Sequence, residues 1–433
     1  MKRFNRRDFL RLAGGSTLAG STLGFPGLLL ANTRKVVVVG GGVGGCTVAK
    51  YLRKLDPGVD VTLVEPNRQY TSCFMSNEVL SGDRSIESIT FSYKDLSDKY
   101  GVNVINDRVV GIDAAGRQAQ TAGGVRLAFD ACVVSPGVDF KWDAIEGYDA
   151  QVAEDAVPHA WFAGLQTVSL RKQLLAMPDG GKVVIVAPPN PYKCPPGPYE
   201  RASQIAMFCK HHKPKSKILI LDPKKKFSKA RLFKQGWRQH YGFETDNSMI
   251  EWVGLKEGGK VSALDPGTRT LTAEGGSFQG DVVNIIPPQK AGKIAYAADL
   301  VEGDWCPVDK RTFESTRHPG IYVLGDASSA AKMPKSAYAA NSQAKVAVAA
   351  ILARFAGQEP GEPTYVHTCY SIIAEEHGIS VAAVYKLSED GKMIQKIKGS
   401  GGLSPMDASA DHRKREVTYA HSWFQNVIDD MMQ

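Results

Sequence analysis

The sequence predicts an α/β protein built on two Rossmann-like nucleotide-binding units, and three stretches predict it. Val36–Val39 is a run of β-branched residues leading into Gly40-Gly41-Gly42-Val43-Gly44-Gly45. Val183–Ala187 is a second apolar run, followed by a helical stretch and a further apolar run, Ile218–Leu221. Pro319–Ser328, PGIYVLGDAS, is a third strand and ends in Gly325-Asp326. Short continuous apolar runs between turn residues read as strands buried on both faces, as in a parallel sheet covered by helices.

The first unit, Arg34–Glu65, carries the strongest local signal. Gly40, Gly42 and Gly45 satisfy G-x-G-x-x-G directly after a strand, a helix follows to about Leu55, and a second strand, Val59–Val64, ends in Glu65. Glycines let the backbone approach a pyrophosphate, the helix N-terminus favours its charge, and an acid ~20 residues on takes the ribose hydroxyls. Together these parts predict an adenine dinucleotide. A glutamate at this position suits FAD or NAD and argues against NADP. Two later stretches select FAD: Phe129–Gly137, an apolar strand ending in a sharp turn, and the Gly325-Asp326 strand, whose carboxylate would meet the flavin's ribityl chain. A helix beginning near Ser336 would point its N-terminal N–H groups at the ring edge that gains negative charge on reduction.

Residues 32–150 with 284–355 form this first domain, and 151–283 form a second nucleotide-type domain whose phosphate loop is degenerate. Its opening strand runs into APPNPYKCPPGPYE, with Pro188, Pro189, Pro191, Pro195, Pro196 and Pro198 where a glycine loop belongs. Proline has no N–H to offer a phosphate, and it stiffens the chain. Two readings stand: a nicotinamide site rebuilt to present the thiol of Cys194, or a rigid surface loop with an incidental cysteine. Glu200 closes the stretch at a helix start. Residues 356–433 lie outside the nucleotide-binding pattern and contain Cys369, a β-hairpin across Val381–Ile397, and an aromatic end, Trp423-Phe424.

The amino terminus, residues 1–31, reads as an export signal of the twin-arginine type. Arg6-Arg7 precede an apolar run, Leu18–Leu30, that is shorter than the ~20 residues a spanning helix needs. The expected location is therefore the periplasm, and no later stretch is apolar for long enough to span a membrane. The formal charge is +8, of which a net +4 belongs to residues 1–31. The remainder is too mild to argue for nucleic acid. Lys224-Lys225-Lys226 and His412–Arg415 read as solvated loops. Seven cysteines are present: Cys46, Cys73, Cys132, Cys194, Cys209, Cys306 and Cys369. None forms Cys-x-x-Cys, so the chain has no zinc ribbon, no thioredoxin motif and no haem-attachment site of its own. Cys46, Cys132, Cys209 and Cys306 read as small buried residues.

Three motifs carry a family resemblance: Ser72-Cys73-Phe74-Met75-Ser76-Asn77, Cys194-Pro195-Pro196-Gly197-Pro198-Tyr199-Glu200, and Thr368-Cys369-Tyr370-Ser371. Across essentially the whole mature chain the sequence resembles the flavoprotein subunit of flavocytochrome c sulfide dehydrogenase, a relative of sulfide:quinone oxidoreductase. The resemblance implies a disulfide-reductase-like FAD/NAD(P) architecture with two dinucleotide-binding domains and a C-terminal α+β interface domain. It implies FAD joined covalently through its 8α carbon to Cys73, and a redox-active disulfide between Cys194 and Cys369 beside the flavin. It further implies hydrosulfide as substrate and a separate c-type cytochrome subunit as acceptor. A disulfide is an electrophile suited to a small soft anion. Glu200 is either the proton acceptor of that chemistry or a helix-start carboxylate held by the dipole. Trp423 is either an aromatic beside the active site or a core residue. Rival readings are a sulfide:quinone oxidoreductase, an NAD-linked disulfide reductase, and a non-catalytic flavoprotein that activates a sulfur-oxidising partner.

Overall fold

Val36–Val39 takes the centre of a five-stranded parallel sheet because each of its side chains is covered on both faces. In a computed structural model that describes residues 33–433, the order is Ile321–Val323, Ala131–Val134, Lys35–Val39, Asp60–Val64 and Asn103–Ile105. The export-signal reading of Arg6-Arg7 and Leu18–Leu30 lies outside the described residues. After Val39 the chain turns at Gly40, whose φ is +101°, and enters the helix Val43–Leu55. A Cβ on Gly45 would stand 1.8 Å from the Gly40 carbonyl oxygen, so only glycine lets this helix lie so close to the loop.

The second sheet is also parallel, with Lys182–Val186 and Lys217–Leu221 inside and Ile250–Val253 and Val282–Ile285 at its edges. The stretch read as short alternating strands from Thr245 to Ile286 therefore divides. Its first and last strands join the parallel sheet. Val261–Asp265, Thr270–Ala273 and Gly276–Gln279 make a separate antiparallel sheet. Burial explains the division: Val282–Ile285 is covered throughout, whereas Thr270–Ala273 has one buried and one solvated face.

The C-terminal part joins the two halves. Thr364–Ala374 pairs antiparallel with His377–Leu387, whose far end pairs with Ile394–Lys396 as the hairpin pattern predicts. Tyr365, Ala383 and Tyr385 pack into the core of the first sheet, whereas Ile373 and Ile379 pack into the core of the second. Cys369, opposite Val381, lies midway between them. The aromatic end proves to be part of a helix, Ala410–Met432, capped by Ser409, whose Oγ accepts the His412 N–H at 3.2 Å. Phe424, Val427, Ile428 and Met431 bury the face that follows a helical period. Lys50 Nζ donates to the Asp429 carbonyl at 2.6 Å and Tyr51 Oη to Asp430 at 2.5 Å, fastening this helix to Val43–Leu55. Among the described residues no helix is long and apolar enough to cross a membrane.

Candidate active site

The glycine turn leaves the start of the helix Val43–Leu55 with no side-chain cap, and nothing stands within 4 Å of the Cβ position of Gly42. A helix start without a side-chain cap leaves N–H groups for a pyrophosphate to accept. Glu65 lies beside this loop: its Oε2 accepts the Gly41 N–H at 2.7 Å, and its Oε1 accepts the Asn67 N–H at 2.9 Å. At the end of the Ile321–Val323 strand, Gly325 has φ +75° and turns Asp326 inward. The Asp326 Oδ1 is buried with no hydrogen-bond partner, and burial raises the pKa of its carboxyl. An orphaned acceptor at this position fits the hydroxyls of a ribityl chain. The helix Ala337–Phe355 begins here, capped by Ser336 Oγ, which accepts the Ala339 N–H at 3.2 Å. The residues present thus fit a flavin dinucleotide, which the backbone of Gly40–Gly45, Glu65, Asp326 and the start of Ala337–Phe355 would hold.

Cys73 follows the strand Gln69–Thr71, and its carbonyl accepts Ser76 Oγ at 2.8 Å. Its neighbour Phe74 packs on Trp423, ring centroids 5.4 Å apart, and Trp423 also meets Tyr338 and Tyr370. The aromatic end of the chain therefore sits between the Cys73 turn, the start of Ala337–Phe355 and the strand that holds Cys369. An open cavity of about 530 Å³ lies beside Tyr338, Tyr370, Tyr419 and Trp423.

The proline-rich turn is fixed by hydrogen bonds at each end. Lys193 N donates to Gln289 Oε1 at 2.8 Å, Cys194 N donates to the Lys335 carbonyl at 2.8 Å, and Tyr192 Oη donates to the Pro195 carbonyl at 2.6 Å. Cys194 itself has φ +56°, a left-handed conformation that costs a non-glycine residue ~1–3 kcal/mol and persists only where its surroundings enforce it. Gly197 opens the helix Gly197–His212, and a Cβ there would stand 2.6 Å from the Trp161 ring and 3.1 Å from the Cys194 sulfur. The turn is thus tied down around the thiol.

Glu200, in the first turn of that helix, does more than cap it. Its Oε1 accepts the backbone N–H of Ile372 at 2.9 Å, and Asn77 Nδ2 approaches its Oε2 at 3.4 Å. The carboxylate therefore reaches across to the hairpin, three residues from Cys369. Burial pushes its pKa up to about 7, against the hydrogen bond from Ile372 and the Lys229 charge. Cys194 and Cys369 are both raised by burial, and a charge on Cys369, Glu200 or Cys73 further disfavours ionisation of Cys194. The fold has brought together four residues that the sequence reading named. All seven cysteines are free thiols, so the crosslink implied between Cys194 and Cys369 is not formed in this structure. Cys46, Cys132, Cys209 and Cys306 are fully buried.

Three cations at this site escaped the sequence reading, and two of them, Arg201 and Lys229, are buried. Arg201 lies beneath the turn, donating to the carbonyls of His159 and Ala160 and to Asn284 Oδ1. Lys229 donates to Ser371 Oγ at 2.9 Å and approaches the Cys369 sulfur at 4.0 Å. Lys335, half-buried near Asp326, donates to the carbonyls of Asp326 and Ser328 and lies 3.6 Å over the Trp305 ring. The Lys224–Lys226 run, read as a solvated loop, needs correction at its first member. Lys224 is buried and pairs with Asp222 at 2.7 Å. Asp222, at the end of the second strand of the degenerate unit, also accepts Tyr199 Oη at 2.7 Å and Trp252 Nε1 at 2.9 Å. Tyr199 stacks on Phe227 with centroids 3.8 Å apart. The carboxylate that a second dinucleotide would need is thus committed to the protein's own side chains. Among the described residues no cluster of His, Cys, Asp and Glu could hold a metal ion.

This fold and cradle define a flavoprotein of the pyridine nucleotide-disulphide oxidoreductase class, and residues 34–186 match that family. Residues 167–287 match the central domain of the sulfide dehydrogenase [flavocytochrome c] flavoprotein chain, and 361–432 match the flavocytochrome c sulphide dehydrogenase flavin-binding domain. The sulfide dehydrogenase flavoprotein chain of Chlorobaculum thiosulfatiphilum is 62% identical over 47 residues, which are 11% of this chain and 98% of that sequence. Mitochondrial sulfide:quinone oxidoreductase of Dictyostelium discoideum is 24% identical over 333 residues, 74% of this chain and 70% of that one. The X-ray structure of sulfide:quinone oxidoreductase from Aquifex aeolicus superposes with a TM-score of 0.68 at 18% identity, covering 92% of each chain. The chain belongs to the sulfide dehydrogenase and sulfide:quinone oxidoreductase family of flavoproteins. It is an FAD-binding, sulfide-oxidising oxidoreductase.

Proposed function

We propose that this chain is the flavoprotein subunit of an exported sulfide dehydrogenase, working in the periplasm with FAD joined to Cys73 and passing electrons to a c-type cytochrome subunit. The observation that carries the reading is the convergence of Cys194, Cys369 and Glu200 on one half-buried spot. In the oxidised enzyme Cys194 and Cys369 share a disulfide. Hydrosulfide attacks one sulfur, the S–S bond breaks, and the site holds one persulfide and one thiolate. The disulfide then re-forms, and the added sulfur leaves at the oxidation level of elemental sulfur. That step gives up a proton, which Glu200 accepts, and an electron pair. When bound, FAD supplies an acceptor for such a pair that can release its electrons singly, as a haem partner requires. The family name of the Chlorobaculum relative supports a cytochrome acceptor, and the likeness to sulfide:quinone oxidoreductases keeps a quinone as the second reading.

Mass spectrometry of the unreduced protein tests the covalent parts: a flavin-sized addition on the Cys73 peptide and a Cys194–Cys369 crosslink are expected. Adding sulfide to the isolated chain should bleach the flavin, and Cys194→Ser should lose this response while keeping the flavin. Retained turnover in that variant would count against the disulfide mechanism. Absence of bleaching in the wild-type chain would favour the non-catalytic activator. Reoxidation by a c-type cytochrome and not by a short-chain quinone separates the first reading from the second.

A further inference from the structure

Lys229 is buried, at 6% exposure, and no carboxylate lies within ion-pair distance of its ammonium among the described residues. Its backbone is held at φ +58° at the start of the helix Ala230–Tyr241, where its carbonyl accepts the N–H groups of Leu232 and Phe233 at 3.0 Å. The side chain ends between Ser371 Oγ at 2.9 Å and the Cys369 sulfur at 4.0 Å. The Glu200 carboxyl feels this charge without forming an ion pair with it, so the buried ammonium has only a hydroxyl and a thiol as direct side-chain neighbours. The turn that holds Cys194 brings a different set of neighbours. Lys193, whose Nζ donates to the Trp161 carbonyl at 2.8 Å, is the cation adjacent to it in sequence.

We propose that Lys229 is the counter-charge of the sulfur site, its ammonium anchored by Ser371 so that a negative sulfur is favoured at position 369 over position 194. This rests on the reading of Cys369 as a reactive cysteine. Four groups face Cys369 from the elements around it. Lys229 comes from the loop before Ala230–Tyr241, Glu200 from the helix Gly197–His212, Cys194 from the proline turn and His367 from the same strand. Lys229 lowers the cost of a thiolate at 369, and Glu200 raises it. A charge on Cys369 or Glu200 makes a second anion at 194 costlier. Burial and the Lys229 charge hold the His367 pKa down to about 4, so its ring is neutral near pH 7 and adds no competing charge. In the reduced pair the anion therefore belongs to Cys369 and the proton to Cys194.

The test is thiolate titration by alkylation, which reads the pair without turnover. The FAD-loaded protein is reduced with a phosphine, pulsed with iodoacetamide across pH 5–10, and scored by mass spectrometry at the peptides holding residues 194 and 369. An opposite charge within ~4–6 Å shifts a pKa by ~1–3 units, so Lys229→Met should slow labelling of Cys369 about tenfold or more near neutrality. It should also move the Cys369 midpoint up without slowing the labelling of Cys194, which is relieved of a charged neighbour. Lys229→Arg should restore the wild-type order, and Ser371→Ala should give a smaller shift in the same direction. Unchanged Cys369 labelling in Lys229→Met with the flavin spectrum intact overturns the proposal. If that variant does not fold, an unchanged midpoint in Ser371→Ala overturns it. Cys369 labelling that depends on Lys229 in a protein that sulfide does not bleach keeps the counter-charge and removes the sulfide site. Bleaching with labelling indifferent to Lys229 does the reverse.

Discussion

Glu200 shows how burial changes what one side chain can do. A helix-start carboxylate in water would be ionised at neutral pH. Here it reaches the Ile372 N–H, is enclosed, and has a pKa raised to about 7. In the proposed role of proton acceptor it works when ionised, so its contribution should fall as pH drops through about 7. Glu200→Gln is expected to cost ~10²–10⁴-fold in sulfide-dependent flavin reduction and to remove that limb. Hydrogen sulfide titrates in the same range, so the ratio of the two proteins at each pH is the readable quantity. Stability should move the opposite way. A raised carboxyl pKa gives stability that is present at low pH and lost as pH rises through the folded value. The Gln variant should therefore gain melting temperature relative to wild type between pH ~4.3 and about 7.

At the scale of the element, the helix Ala410–Met432 closes over the glycine-loop helix and places Trp423 against Phe74, next to Cys73. Its hold is apolar, because Ile428, Met431 and Met432 are fully buried in the core of the first sheet. Burying one such side chain contributes ~1.5–3 kcal/mol, more than an exposed ion pair at ~0–1 kcal/mol. Ile428→Ala is expected to destabilise the protein by ~2–5 kcal/mol, read as a lowered denaturant midpoint and earlier loss of the flavin's visible absorbance signature. The hairpin Thr364–Leu387 has a different task. With one end in each core, it fixes Cys369 between the two halves, so the placement of Cys369 depends on both halves being folded.

Across the whole molecule, two nucleotide-type units have diverged. The first keeps an uncapped helix start and an orphaned Asp326 oxygen ready for a flavin dinucleotide. The second keeps the parallel sheet but spends Asp222 on Tyr199, Trp252 and Lys224 and fills its turn with proline. NADH and NADPH should therefore fail to reduce the flavin anaerobically, where sulfide succeeds. Reduction by either nucleotide at rates near those of sulfide would contradict the filled second site.

The local signals were those written within one element: the glycine turn after Val39, the strand ending in Gly325-Asp326, and the proline-rich turn at Cys194. Each follows from backbone constraints that a few neighbouring residues impose. The sulfur motifs were legible through family likeness alone, since Cys194 and Cys369 lie far apart in the chain. Only the tertiary structure could decide that Lys229 is buried beside Cys369 while Lys225 and Lys226 remain in solvent, or that Asp222 is spent internally. Burial and charge pairing depend on what other segments bring to the same place, and no local pattern of residues records that.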